Sequence, residues 1–140
     1  MHRSEVHRLL GTPEGSYPIW DGSGTTDHWS EGRIIVGYDL DQAVKHVGFG
    51  PGGCEVSLRG APLWSLDDQP DPNPTLLRLD PVPVESVGIL VYPAIGVSTS
   101  GYHDGDDAQL SLTTSPAGVW DDVVRRAYRP DLGRYQSPEA

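Results

Sequence analysis

Residues 33–49 read RIIVGYDLDQAVKHVGF and form the most strongly patterned stretch of the chain. Every second residue between 34 and 40 is apolar, which is the period of a strand with one buried face. The polar residues at 39–42 supply a turn, and a second apolar segment follows over 43–49. The stretch therefore predicts an antiparallel β-hairpin.

A third strand is expected just after this hairpin. Gly and Pro at 50–53 form a turn signal, and Cys54, Val56 and Leu58 then alternate with polar side chains. Together with the hairpin, this segment predicts a three-stranded meander. The lone Cys54 is expected to be a packed side chain, since it has no second cysteine with which to form a disulfide.

The second half of the chain contains its longest apolar run, residues 87–92. A run of this kind is typical of a central strand buried on both faces. Residues 95–102 and 108–114 are predicted to pair as a second hairpin. Its tip, at 103–106, carries aspartates.

Helices are predicted near both ends of the chain. Near the N-terminus, Val6, Leu9 and Leu10 have helical spacing, Ser4 can cap the first turn and Gly11 ends the segment. The second helix has Ser115 as its cap and Pro116 at its first position, and it ends before Pro130. Its expected buried stripe consists of Val119, Trp120, Val123, Val124 and Ala127.

Two stretches lack a periodic pattern. Residues 12–32 are polar and rich in glycine, which predicts a long ordered loop or an irregular edge strand. Residues 67–74 hold three prolines and three aspartates, which predict a surface connection.

The predicted fold class is α+β. We expect a single domain over residues 1–140, because a chain of this length can bury one core. The main layer should be a mainly antiparallel sheet of five to seven strands, with the N-terminal and C-terminal helices packed on one face.

The charge of the chain is strongly unbalanced. Its formal net charge is -10, and between residues 60 and 124 ten acidic side chains outnumber a single base, Arg78. Acidity of this kind favours a basic protein as partner and disfavours nucleic acid. The residues expected to contact that partner are Asp67, Asp68, Tyr102, Asp104, Asp106 and Asp107.

The sequence contains no catalytic or metal-binding motif. Its histidines have no zinc-ligand spacing, and Asp104, Asp106 and Asp107 lack the following Glu that would complete a calcium loop. No metal and no cofactor are therefore expected, and no residue is assigned a catalytic role.

No segment predicts export or membrane insertion. The first eight residues carry charges where a secretion signal needs an apolar core. The apolar run at 87–92 is far shorter than the roughly 20 residues that cross a bilayer. The sequence therefore predicts a cytoplasmic protein without a membrane partner.

Residues 4–49 resemble the helix-and-hairpin module of SmpA-type envelope lipoproteins. The resemblance is carried by Leu9-Leu10-Gly11, Pro13 and Trp20, followed by Ile35-Val36 and Tyr38-Asp39. It implies a similar local fold, and a structural assembly module as one possible role.

A looser resemblance covers more of the chain. Residues 96–102, GVSTSGY, are followed by Asp106-Asp107 and by Trp120-Asp121, and this arrangement resembles the cytoplasmic immunity proteins of bacterial polymorphic toxin systems. It implies an inhibitor that binds and blocks its cognate toxin by stoichiometric protein contact. An acidic surface suits a basic toxin, since opposite charges speed association.

Three functions are open at this point. An immunity protein without enzymatic activity is the function we predict. The first alternative is a small enzyme or ligand-binding domain with a pocket near Trp20, His28 and Trp29. The second alternative is the structural assembly module.

Overall fold

The computed structural model describes residues 1–116 and 121–135. Its helices and strands, in chain order, are α1 (Arg3–Leu10), β1 (Gly15–Pro18), β2 (Gly24–Trp29), β3 (Ile34–Asp39), β4 (Val44–Phe49), β5 (Val56–Leu58), β6 (Ala61–Trp64), α2 (Asn73–Leu79), β7 (Val84–Ser86), β8 (Ile89–Tyr92), β9 (Val97–Ser100), β10 (Ser111–Thr114) and α3 (Asp121–Arg126). Single 3-10 turns lie at Ser30–Gly32, Asp107–Gln109 and Gly133–Tyr135. The fold is α+β.

Eight of the strands form one sheet in the order β1-β2-β3-β4-β10-β9-β8-β7. Every neighbouring pair in this sheet is antiparallel. The sequence predicted five to seven strands, and part of the difference comes from residues 12–32, which contribute both β1 and β2. Gly24 permits part of this pairing, because a Cβ there would lie 1.8 Å from the backbone oxygen of Tyr38.

The two predicted hairpins form β3–β4 and β9–β10. The apolar run at 87–92 gives strand β8, in which Leu90, Val91 and Tyr92 are fully buried. The expected meander is wrong, because β5 pairs with β6 in a separate two-stranded sheet. A two-residue turn at Arg59-Gly60 closes this local hairpin, and the free side of β4 is taken by β10.

The buried apolar side chains form two clusters. The larger one joins the β5–β6 hairpin and α2 to the strands β8, β9 and β10, and comprises Leu63, Trp64, Leu76, Leu90, Tyr92, Val97 and Leu112. The smaller one packs α1 on strands β2 and β3, and comprises Val6, Trp29, Val36 and Tyr38. Both clusters bury one face of the large sheet.

The helices differ in part from the predictions. In α1 only Val6 is buried, whereas Leu9 and Leu10 are exposed, so the predicted apolar stripe of this helix is largely in solvent. Helix α2 was not predicted, and α3 contacts β7 at the edge of the sheet farthest in strand order from α1. The predicted stripe residues Val119 and Trp120 lie outside the described residues.

Across the part of the chain that the structure describes, none of the helices has the length and apolar character that crossing a bilayer requires.

Candidate functional site

Two acidic segments that are distant in sequence lie next to each other in the structure. The hydroxyl of Tyr102 donates a hydrogen bond of 2.8 Å to the backbone oxygen of Gln69. This bond joins the loop after β9 to the loop between β6 and α2. The residues predicted to contact a partner lie on these two loops, and we call them the acidic face: Asp67, Asp68, Tyr102, Asp104, Asp106 and Asp107.

Tyr102 is half-buried and lies close to several negative charges. Its burial, together with the charges of Asp71, Asp68 and Asp107, raises the pKa of Tyr102 to about 12. The five aspartates of the acidic face are all exposed. Among the described residues, none of these five forms an ion pair. Their negative charge is therefore available to an approaching cation.

The loop after β9 is held in shape by its own backbone. Gly101 has a φ of 87°, and a Cβ there would lie 2.6 Å from the backbone oxygen of Asp106, so a side chain would open the loop. The carboxylate of Asp104 accepts a bond of 3.3 Å from the backbone N–H of Asp106. Asp106 in turn accepts one of 3.2 Å from the N–H of Ala108. Asp104 and Asp106 thus have their carboxylates bonded to the backbone of the loop.

The other loop is fixed by Gln69 and Ser65. The side-chain amide of Gln69 donates to the backbone oxygens of Ser65 at 2.8 Å and of Leu66 at 3.1 Å. The backbone N–H of Ser65 donates to the oxygen of Asp68 at 2.9 Å. Asp71 is not counted in the acidic face, because its carboxylate accepts hydrogen bonds from Asn73 and Tyr135.

An open groove of about 570 Å³ adjoins the acidic face. The β5–β6 hairpin and the loop that follows it line this groove with Glu55, Val56, Ser57, Pro62, Leu63, Trp64, Ser65, Asp68 and Pro70. Its walls combine apolar side chains with the carboxylates of Glu55 and Asp68. Such a lining can accept the aliphatic stem and the charged end of a Lys or Arg side chain.

His103 attaches the acidic face to the edge of the sheet. Its Nε2 lies 3.3 Å from Oε1 of Glu85 on β7, and its side chain is almost fully buried. The Nδ1 atom of His103 has no hydrogen-bond partner among the described residues. Together with Tyr102, this contact holds the loop after β9 on both sides.

The predicted pocket near Trp20, His28 and Trp29 is not assembled. Trp29 is buried in the smaller core cluster, whereas Trp20 is 95% exposed in the loop between β1 and β2. His28 precedes Trp29 in β2 and therefore points to the opposite face of the sheet. There it packs edge-on against Tyr17, with ring centroids 4.9 Å apart, beside a cavity of about 250 Å³.

A buried polar cluster at α1 was missed from the sequence. Asp27 on β2 is fully buried, and Arg3 donates to its carboxylate at 2.9 and 2.8 Å. Ser16 donates to the same carboxylate at 2.7 Å, and Nε2 of His7 lies 2.5 Å from it. Burial opposes ionisation of Asp27, but the hydrogen bonds from Arg3, Ser16 and His7 outweigh it and hold the pKa of this carboxyl well below its usual value.

This cluster lacks the geometry of a nucleophile and its base. Ser16 donates its hydroxyl to Asp27 and not to His7, although a serine nucleophile would have to be bonded to the histidine. Its bonds instead join α1 and the edge strand β1 to Asp27 on β2. Nothing in the sequence marked Asp27 as buried, because its partners Arg3 and His7 belong to a distant helix.

Over residues 1–116 and 121–135, no group of three or more His, Cys, Asp or Glu side chains is arranged to hold a metal ion. Comparison with protein-family models, curated proteins and solved structures gives no match for this chain.

Proposed function

We propose that the protein is an immunity protein that binds and blocks a basic bacterial toxin by stoichiometric protein contact. The observation that carries this proposal is the acidic face, in which two distant loops are joined by the bond from Tyr102 to Gln69. Five exposed aspartates there have no ion-pair partner among the described residues. Carboxylates without a paired cation are stabilised most by a partner that carries positive charge.

The physical advantage lies first in the rate of encounter. Complementary charge raises association rates from about 10⁵–10⁶ to as much as 10⁸–10⁹ M⁻¹s⁻¹ at low salt. An inhibitor of a toxin gains from this speed. The face is also ordered before binding by its internal hydrogen bonds, which lowers the entropy lost on association.

The negative charge of the acidic face also disfavours two other classes of partner. A concentration of carboxylates repels the phosphates of nucleic acid and the anionic headgroups of a membrane. As part of the proposal, the protein acts in the cytoplasm of the cell that makes the toxin. It needs no cofactor there, since inhibition follows from binding alone.

The test first asks whether the gene immediately upstream encodes a basic toxin domain, and then uses that domain in a catalytically inactivated form. Association is measured by stopped flow over a range of salt concentrations, and protection by coexpression with the active domain. We expect a one-to-one complex, protection of the cells, and association that slows steeply as salt increases. A basic upstream domain that forms no complex with the protein would contradict the proposal, as would an upstream gene that encodes no such domain.

Charge reversal localises the interface. Changing Asp104, Asp106 and Asp107 to Lys should slow association by about tenfold or more and remove most of its salt dependence, while folding is retained. The matched control reverses three exposed acids elsewhere, Glu5, Asp21 and Asp41, with the same change in net charge. If both triple variants slow association equally, overall charge and not the acidic face is responsible.

A further inference from the structure

The groove beside the acidic face combines an apolar base with charged edges. Leu63 and Trp64 on β6 line it while being only 5% and 3% exposed, and both belong to the larger core cluster. Glu55, just before β5, and Asp68, in the loop after β6, also line it and are exposed. The buried pair therefore forms the base of the groove, and the two carboxylates lie at its opening.

Both walls of the groove are held in place within the chain itself. Strands β5 and β6 pair as a hairpin, with Ser57 opposite Pro62. In the loop after β6, the backbone N–H of Ser65 donates to the oxygen of Asp68 at 2.9 Å, and the N–H of Asp68 donates to Oγ of Ser65 at 3.0 Å. A groove formed in advance loses less entropy when it is occupied.

The carboxylates of the groove have no cation beside them in the chain. None of the described residues that line it is Lys, Arg or His, and neither Glu55 nor Asp68 forms an ion pair with another described residue. A basic side chain has an apolar stem and a charged end, so it can cover the apolar base and meet the carboxylates at once. The lining therefore selects a basic side chain.

Arginine suits this lining better than lysine. Its guanidinium is planar, has five N–H donors and can bond to two carboxylates, whereas the lysine ammonium is a compact charge. A guanidinium is also more weakly hydrated, which lowers the cost of placing it against the apolar base. The volume of about 570 Å³ lies within the range of ligand pockets, so the groove has room for the side chain and the backbone that carries it.

We propose that the groove binds an arginine side chain of the partner protein. The aliphatic stem lies against Leu63 and Trp64, and the guanidinium bonds to Glu55 and Asp68. The inference rests on the proposed function and names one group by which the basic toxin is held. A second copy of this chain is disfavoured as the source of the arginine, because two molecules with a net charge of -10 repel each other.

The first test uses a blocked tripeptide, acetyl-Gly-Arg-Gly-amide, and does not depend on the toxin. Binding is followed by heteronuclear NMR titration, and the shifts should be centred on the residues that line the groove. The same peptide with citrulline keeps the shape of arginine without its charge, and should bind about tenfold more weakly. Equal binding of the two peptides, or tighter binding of a lysine peptide, would overturn the assignment. Free arginine that binds more tightly than the peptide would assign the groove to a small molecule.

A pair of double variants separates the groove from the overall charge of the protein. Glu55→Gln with Asp68→Asn removes both carboxylates and should weaken peptide binding about tenfold. The matched control, Glu5→Gln with Asp41→Asn, makes the same change in net charge at exposed acids elsewhere and should bind as the wild type does. If the two double variants weaken binding equally, the groove is not the site.

A further variant fills the groove and leaves its charges in place. Ser57 is exposed on β5 and lines the groove, and strands accept aromatic residues well, so Ser57→Phe should fold normally. It should abolish peptide binding, with folding checked by thermal melts. Unchanged binding by a folded Ser57→Phe protein would show that the carboxylates act from the open surface, and would refute the groove.

The same variants are then measured against the inactivated upstream toxin domain. Loss of both carboxylates, or Ser57→Phe, should raise the Kd of the complex about tenfold. If the toxin domain binds and neither change affects it, the arginine inference fails while the proposed function stands. If the peptide binds and the toxin domain does not, the proposed function fails and the arginine belongs to a different partner. A wild-type dimer in sedimentation equilibrium that Ser57→Phe dissolves would assign the arginine to a second copy of the chain.

Discussion

The strongest stability prediction concerns Asp27, which attaches α1 to the sheet. Its buried carboxylate accepts two hydrogen bonds from Arg3 and one from Ser16, and lies within bonding distance of His7. Asp27→Asn keeps the shape of the side chain but removes its charge. The amide group of asparagine also directs N–H donors at donors of Arg3.

The magnitude follows from these contacts. Removing one partner of a buried ion pair costs about 3–5 kcal/mol, and the Arg3 side chain is 24% exposed, so water recovers part of its solvation. We expect a loss of about 3 kcal/mol in the free energy of unfolding at pH 7. For a chain of this length that corresponds to a fall of about 10 °C in melting temperature.

The effect should depend on pH in a defined direction. The pKa of Asp27 is lower in the folded protein than its usual value of about 3.9, so its charged form stabilises the fold above that value. This stabilisation is lost as the pH falls and the carboxyl takes up a proton. The difference between wild type and variant should therefore be full at pH 7 and should shrink below about pH 4.

Urea unfolding followed by circular dichroism at pH 7 and at pH 3 measures both quantities. The matched control is Asp41→Asn, because Asp41 is an exposed aspartate and its change should stay within about 0.5 kcal/mol. An Asp27→Asn variant within 1 kcal/mol of the wild type at pH 7 would refute the role assigned to this cluster. A difference that stays constant down to pH 3 would refute the electrostatic origin.

Three other substitutions test the packing. Gly37→Ala should lower the free energy of unfolding by about 1–3 kcal/mol, because its Cβ would lie 2.1 Å from the His46 ring. Adding His46→Ala should restore part of that loss in thermal melts. Asn73→Ala should lower the free energy of unfolding in urea by about 3 kcal/mol, since it leaves the buried hydroxyls of Tyr92 and Thr99 without their acceptor. A loss below about 1 kcal/mol would contradict this role of Asn73. Trp20→Ala should leave the melting temperature unchanged, because that side chain is 95% exposed, and a marked drop would show that it packs.

The local patterns of the sequence predicted local structure well. The hairpin β3–β4 follows from alternation over a few residues and a turn between them. Strand β8 follows from a continuous apolar run. Both features are encoded within one short segment, so a single sequence is sufficient to find them.

The errors arise where distant residues decide the outcome. Strand β5 has the same alternation of apolar and polar residues as its neighbours. Its pairing partner, however, is determined by the turn at Arg59-Gly60 and by the pairing of β10 with β4. Helix α2 was missed because Pro72, Asn73 and Pro74 read as a turn, although proline also opens helices.

The acidic face was only half predictable for the same reason. Its aspartates could be identified from the sequence, because an excess of acidic residues can be counted without knowledge of the fold. Their proximity depends on the bond from Tyr102 to Gln69, which spans 33 residues. Val87 was assigned to the buried strand, since a Val-Gly turn lacks the Asn-Gly or Asp-Gly signal of its class.

The acidic face and Val87 share a property that folding alone does not explain. The exposed aspartates repel one another, and the turn at Val87 holds an apolar, branched residue in a conformation better suited to Asn. Each feature costs stability, and substitutions that relieve it are available at both places. Natural proteins retain such costs where binding needs them. The register places the turn at Val87 and the loop after β9 at one end of the sheet, which is the end where the proposed partner would bind.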